Sequence, residues 1–264
     1  MALRVGICGP PNSGKTFSRT FLTQGENVFV IAPSAKAMKI KTSEGKAIKR
    51  LNPQTKTFEE LYPGHSPSKV MKGLMKSDLT GKKFTGNYII ADLEEVEALL
   101  KFVNIYKPEI NTIILPDFTH YISKVLASKS FIMRKSGGEG FQRFWELAGE
   151  VLESLMLSID NLREDLIVVT EYHTEYDADL EEWVIFTPGG KMLTEKFKLE
   201  SYYDYLLFTY VDKHENGIIS PNDYKFITRR WKNYPARAGE LFKETLINNN
   251  LQTVLDALRK ENDI

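Results

Sequence analysis

Apolar positions in this chain fall into short unbroken runs separated by stretches with a three-to-four-residue repeat. Leu3–Cys8, Val28–Ala32, Tyr88–Ala91, Thr112–Leu115 and Leu166–Thr170 are runs rich in Val, Ile and Leu. That is the pattern of strands buried on both faces. Between them, Lys15–Thr23, Asp92 to about Tyr106, a segment from about Phe118, and Phe141–Arg163 read as helices. In the last of these, Phe144, Leu147, Val151, Leu155 and Ile159 share one face. Asp92 is placed to cap its helix, with Glu94 and Glu95 in the first turn, where the helix dipole favours acids. Strands alternating with helices predict an α/β fold with a mainly parallel central sheet.

Two regions break this rhythm. From about 33 to 86 lysines dominate (Lys36, Lys39, Lys41, Lys46, Lys49, Lys56, Lys69, Lys72, Lys76, Lys82, Lys83), and Pro and Gly punctuate the segment. It reads as a basic insertion with one short helix near Ser68–Lys76. From about 183 to 264 the chain reads as a β-rich extension. Trp183–Phe186, the turn Pro188-Gly189-Gly190 and Lys191–Thr194 predict a β-hairpin. Tyr203–Val211 and Asp223–Trp231 predict a second pair around His214–Gly217, and Leu251–Lys260 a last helix.

Composition narrows the possibilities. The chain has 264 residues, 42% of them hydrophobic, enough for one sizeable core. Formal charge sums to zero, so any contact with nucleic acid must be local. Cys8 is the only cysteine, which excludes an intramolecular disulfide and a cysteine-based zinc site and fits a reducing cytoplasm. Met1–Val5 leads straight into a strand and no apolar run is long enough to span a membrane, so neither leader nor membrane partner is expected.

The most specific feature follows the first strand. Gly9-Pro10-Pro11-Asn12-Ser13-Gly14-Lys15-Thr16 matches G-x-x-x-x-G-K-[ST]. At average residue frequencies this pattern arises by chance in roughly one chain of this length in a hundred. The glycines let successive backbone N–H groups converge on phosphate oxygens, and the following helix adds its positive end. Lys15 is expected to reach the β- and γ-phosphates of ATP or ADP, and the Thr16 hydroxyl to hold Mg²⁺. Phe17 completes the candidate nucleotide-binding stretch. A second metal-side residue should be an acid at the end of an apolar strand. Ile113-Ile114-Leu115-Pro116-Asp117 supplies Asp117, like the acid of a Walker B motif, although proline before it is unusual.

With these two motifs the chain resembles RecA-type ATPases, most of all the small phage RecA-like proteins linked to single-strand annealing and recombination. The order of features agrees: phosphate loop, Asp117-Phe118-Thr119-His120, a long helix, then Ile167-Val168-Val169-Thr170-Glu171-Tyr172-His173. Next come Thr187-Pro188-Gly189-Gly190-Lys191, a strand with Asp204, Arg229-Arg230, Arg237 and Asn249-Asn250-Leu251. The resemblance covers most of the chain outside the insertion. It implies a RecA-like P-loop NTPase core over 1–264, in the host cytoplasm if phage-encoded. It also implies that Thr170 or His173 senses the γ-phosphate, that the protein assembles into a ring or filament, and that it acts on single-stranded DNA in recombination, annealing or replication.

One departure stands out. RecA-like enzymes usually carry a glutamate just after the second strand to orient the attacking water, and here that stretch is Ile31-Ala32-Pro33-Ser34-Ala35. Hydrolysis is therefore expected to be slow or to use another acid, such as Glu94, Glu95 or Glu171. Family DNA-lining loops correspond to Ser128–Gly140, with Lys129, Phe131, Arg134 and Lys135, and to Glu171–Lys191, which is acidic. Arg229, Arg230 and Arg237 are candidates to complete a neighbouring subunit's site. Asp212–Asp223 imitates a calcium loop, but strand-like flanks and a final aspartate argue against one. Two other readings compete: a non-hydrolysing nucleotide switch, favoured by the missing glutamate, and a small-molecule P-loop kinase, with Arg134 and Arg143 as sparse support for a lid.

Overall fold

The computed structural model describes residues 1–34, 40–49, 87–91, 93–127, 140–188, 198–213 and 217–264. The predicted helix Ser68–Lys76, the cap Asp92, the cations Lys129, Arg134 and Lys135, the Lys191–Thr194 strand and His214 lie outside the described residues.

Six strands run parallel. They are β1 (Leu3–Cys8), β2 (Val28–Ala32), β3 (Tyr88–Ile90), β4 (Thr112–Leu115), β5 (Ile167–Tyr172) and, after an antiparallel hairpin of β6 (Thr174–Asp177) and β7 (Glu182–Ile185), β8 (Tyr205–Val211). Their order across the sheet is β8-β1-β5-β4-β2-β3. The strand that feeds the glycine loop and the strand that ends before Asp117 are thus separated by β5. Register places Gly6 and Leu115 on either side of Thr170.

Beyond β8 the sheet turns antiparallel. It continues with β9 (Tyr224–Ile227), β10 (Arg229–Trp231), β11 (Tyr234–Arg237) and β12 (Leu246–Asn248). Both parts form one ten-stranded sheet among the described residues. This is the mixed α/β class with a mainly parallel centre.

Alternation along the buried strands loads both faces. Phe29, Ile31, Ile113, Leu115 and Val168 meet α2 (Leu93–Tyr106), α3 (Phe118–Leu126) and α4 (Gly140–Asp160) through residues such as Leu99, Phe118 and Leu155. Val5, Ile7, Val30, Ile114 and Val169 meet Leu251, Val254, Leu255 and Leu258 of α5 (Leu251–Asn262). Each of those four α5 side chains contributes about 1.5–3 kcal/mol by leaving water. Asn250 caps α5, its side chain accepting from Thr253 N at 3.3 Å. No described helix is long and apolar enough to cross a membrane.

Three elements differ from the sequence reading. The predicted helix over Lys15–Thr23 stops after one turn, α1 (Lys15–Ser18), and tightens into a 3₁₀ turn over Arg19–Phe21. Ser18 Oγ and Thr20 Oγ1 bond back to Lys15 O and Phe17 O, both at 2.7 Å, and such hydroxyls compete with the helical ladder. Glu182–Ile185 pairs backward with Thr174–Asp177, within the stretch read as an acidic loop. The predicted strand Asp223–Trp231 breaks at Thr228, whose hydroxyl donates to Glu244 O at 2.7 Å; β9 pairs with β8 and β10 with β11.

Candidate functional site

At the end of β1 the chain turns through Gly9. A Cβ there would lie 1.7 Å from Thr209 Oγ1, so no side chain fits. Gly14 has φ 103° and Asn12 φ 62°, both in the left-handed region that bends the loop inward. Gly14 also lies under Tyr224, whose Cδ1 would be 2.8 Å from an added Cβ. Ser13 Oγ donates to Pro10 O at 2.7 Å and shares a hydrogen bond with Thr209 Oγ1. Because α1 is a single turn, its macrodipole is small. Any anion here depends on the loop's own N–H groups and on Lys15, rather than on the helix dipole expected from the sequence.

The Lys15 ammonium donates to Gly9 O and, at 2.8 Å, to Pro10 O. It also lies 3.4 Å from His173 Nδ1. His173 Nε2 is 3.2 Å from Asp117 Oδ1, and its backbone N–H donates to Thr119 Oγ1 at 3.0 Å. Nδ1 accepting and Nε2–H donating is one consistent tautomer, so the three side chains form a polar chain. Asp117 has φ 54°, a strained value for a residue with a side chain, in the turn between β4 and α3.

A second link between the loop and β5 is buried. Arg19 Nε pairs with Glu171 Oε1 at 3.0 Å, the side chains being 6% and 3% exposed. Arg19 Nη2 donates to Thr16 Oγ1 at 3.2 Å.

These groups wall one cleft of about 440 Å³. Residues Pro11 through Phe17 form one side, Ala32, Pro33 and Ser34 the end of β2, and Pro116, Asp117, Glu171 and His173 the ends of β4 and β5. Tyr224 closes the rim against Phe17, ring centroids 5.2 Å apart. Gly9 and Pro10 do not line the cleft; their carbonyls hold Lys15. Thr170 is wholly buried and turned to the opposite face, beside the Tyr203 hydroxyl. Of the two γ-phosphate candidates, only His173 is in the cleft.

Sequence reasoning missed Arg19 and Tyr224. Arg19 stands three residues after Thr16, a helical spacing that hints at the contact. Nothing local marks Tyr224, which arrives from β9. Of the arginines considered for a neighbouring subunit, Arg229 donates to Gly239 O and Phe242 O, and Arg237 to Glu200 O and Tyr203 O. Both therefore brace their own chain. Arg230 is exposed and pairs with Glu182.

Thr16 and Asp117 offer a hydroxyl and a carboxylate to one cleft, oxygen donors of the kind Mg²⁺ takes when phosphates and water complete its shell. Among the described residues no group of three or more His, Cys, Asp or Glu could hold a metal unaided.

No protein-family model matches the chain, and no curated protein matches it. Among solved structures it is similar to one reported as a DnaB-like replicative helicase and its interactions with primase, with 12% sequence identity and a TM-score of 0.42. The match covers 89% of this chain and 55% of that one, so the chain spans about half the length of that protein. So loose a likeness assigns neither a family nor an activity.

Proposed function

We propose that this chain is a P-loop ATPase that binds ATP with Mg²⁺ in the cleft between the Gly9–Thr16 loop and the ends of β4 and β5, and acts in DNA metabolism. The observation that supports it most is the convergence of Lys15, Thr16, Asp117 and His173 on one cleft at the end of parallel strands. The cleft volume lies in the range of small-ligand sites.

In this reading the loop N–H groups cradle the phosphates, and Lys15 exchanges its carbonyl contacts for the β- and γ-oxygens. His173 follows the γ-phosphate, and the Phe17–Tyr224 pair gives the base an apolar wall. Thr16 and Asp117 would hold Mg²⁺, which neutralises phosphate charge when bound. The role in single-strand annealing, recombination or replication, and assembly into a ring or filament over 1–264, rest on the resemblance to phage RecA-like proteins.

Lys15→Ala is expected to abolish measurable binding of a fluorescent ATP analogue; wild-type affinity in that variant defeats the assignment. Asp117→Ala should weaken Mg²⁺-dependent binding more than Mg²⁺-free binding, and equal loss in both would point to a damaged fold.

A second reading, a nucleotide switch that does not hydrolyse, is favoured by the end of β2, which brings Ala32, Pro33 and Ser34 but no acid to the cleft. Turnover measured with and without single-stranded DNA, at several protein concentrations, separates the two. Cooperative stimulation by DNA supports the ATPase; tight binding without turnover supports the switch.

A further inference from the structure

Among the described residues two carboxylates line the cleft, Asp117 and Glu171. Asp117 faces His173 and is the one suited to the metal. The end of β2 contributes Ala32, Pro33 and Ser34 and no acid. Glu171 is different in kind. It is 2% exposed and held by Arg19, whose other nitrogen reaches the Thr16 hydroxyl. Replacing a buried ion pair with packed apolar groups is often neutral or stabilising, so stability alone gives little reason for this pair. Its position gives a better one. A single guanidinium spans the distance between the carboxylate and the hydroxyl proposed to sit on Mg²⁺.

We infer that Glu171 is the carboxylate that orients and deprotonates the water attacking the γ-phosphate, and that Arg19 is its positioning residue. The inference rests on the ATPase reading above. The water oxygen bonds to the γ-phosphorus as the bond from that phosphorus to the β,γ-bridging oxygen breaks. The bridging oxygen leaves with ADP, carrying the electron pair. Glu171 takes one proton from the water and later releases it, so ATP and water become ADP, phosphate and a proton. Arg19 fixes the direction of the carboxylate relative to Thr16, with one guanidinium nitrogen on each.

The test compares wild type with Glu171→Gln in three measurements: affinity for a fluorescent ATP analogue with Mg²⁺, steady-state turnover, and the fraction of bound nucleotide that stays ATP after isolation of the complex. The expected result is near wild-type affinity, turnover lower by about 100-fold, as for loss of a general base, and bound nucleotide retained as ATP. If Glu171→Gln does not fold, Arg19→Gln/Glu171→Gln removes both buried charges together and should show the same split. Turnover in a folded variant close to wild type overturns the inference and leaves the ATPase reading standing. Wild-type protein that binds ATP and never hydrolyses it also overturns the inference. Failure of wild type to bind ATP at all defeats the underlying reading instead.

Discussion

Two polar links tie the glycine loop to the ends of the central strands, and they are built on opposite principles. The Lys15–His173–Asp117 chain runs along the cleft wall, with His173 and Asp117 partly exposed and contacts of 3.2–3.4 Å. The Arg19–Glu171 link lies beneath the loop, almost without water. Contacts in the first are weak and easily exchanged for phosphate oxygens. In the second, either charge left alone would be costly, so the pair persists whatever enters the cleft. The difference is one of exchangeability: the Lys15–His173–Asp117 contacts can give way to a ligand, whereas the desolvated Arg19 holds the Glu171 carboxylate in one direction.

The comparison can be broken most forcefully at Arg19. Arg19→Met leaves Glu171 buried without its partner and should cost about 3–5 kcal/mol in denaturant unfolding. Arg19→Met/Glu171→Leu should recover most of that loss; failure to recover would mean the pair's packing, not its charge, holds the site. Lys15→Ala should be nearly silent in the same unfolding experiment. Its cost belongs to the ligand: binding of the ATP analogue should fall below detection while the unfolding midpoint barely moves. A large stability loss in Lys15→Ala would erase the distinction. Tyr224→Ala tests the rim, where a lost aromatic contact with Phe17 or a base should weaken binding by about 0.5–1.5 kcal/mol without changing Mg²⁺ dependence. The smallest effect concerns Cys8, whose thiol burial pushes well above its ordinary range. It should resist alkylation in the native protein and react only on unfolding; fast native labelling would reveal an opening of β1 beside the loop.

Much of this was legible in the sequence because its signals are local. The strands Leu3–Cys8, Val28–Ala32 and Thr112–Leu115 have the bounds read from their apolar runs. Lys15, Thr16 and Asp117, which motifs of a few residues single out, line one cleft. The parity of β5 was harder. The apolar run stops at Val169, and beyond it the sequence leaves Thr170 and His173 as alternative γ-phosphate sensors and Glu171 as one of three candidate acids. Register and burial turn Thr170 to the far face and Glu171 to the cleft. A side chain's face is set by pairing with β1 and β4, which no local pattern records. The β6 strand was hidden because Glu175 and Asp177 gave Thr174–Asp177 the composition of a solvated loop. No local pattern marks Tyr224, since it reaches Gly14 and Phe17 from the far end of the chain only after β9 has paired with β8.

Thr209 carries a consequence of its own. It sits on β8, the seam where the sheet passes from parallel to antiparallel, and its hydroxyl touches both Ser13 Oγ and, at 3.2 Å, Cys8 O. With Gly9 packed against it there is no slack between strand and loop. Seen mechanically, β8 is a stiff rod with the glycine loop bolted to its flank and the C-terminal strands mounted on its far side. A load placed on those strands reaches the backbone of the glycine loop through Thr209 and through Tyr224, which packs on Gly14 and Phe17. By reciprocity, whatever tightens the loop must also be felt by anything that grips the C-terminal strands.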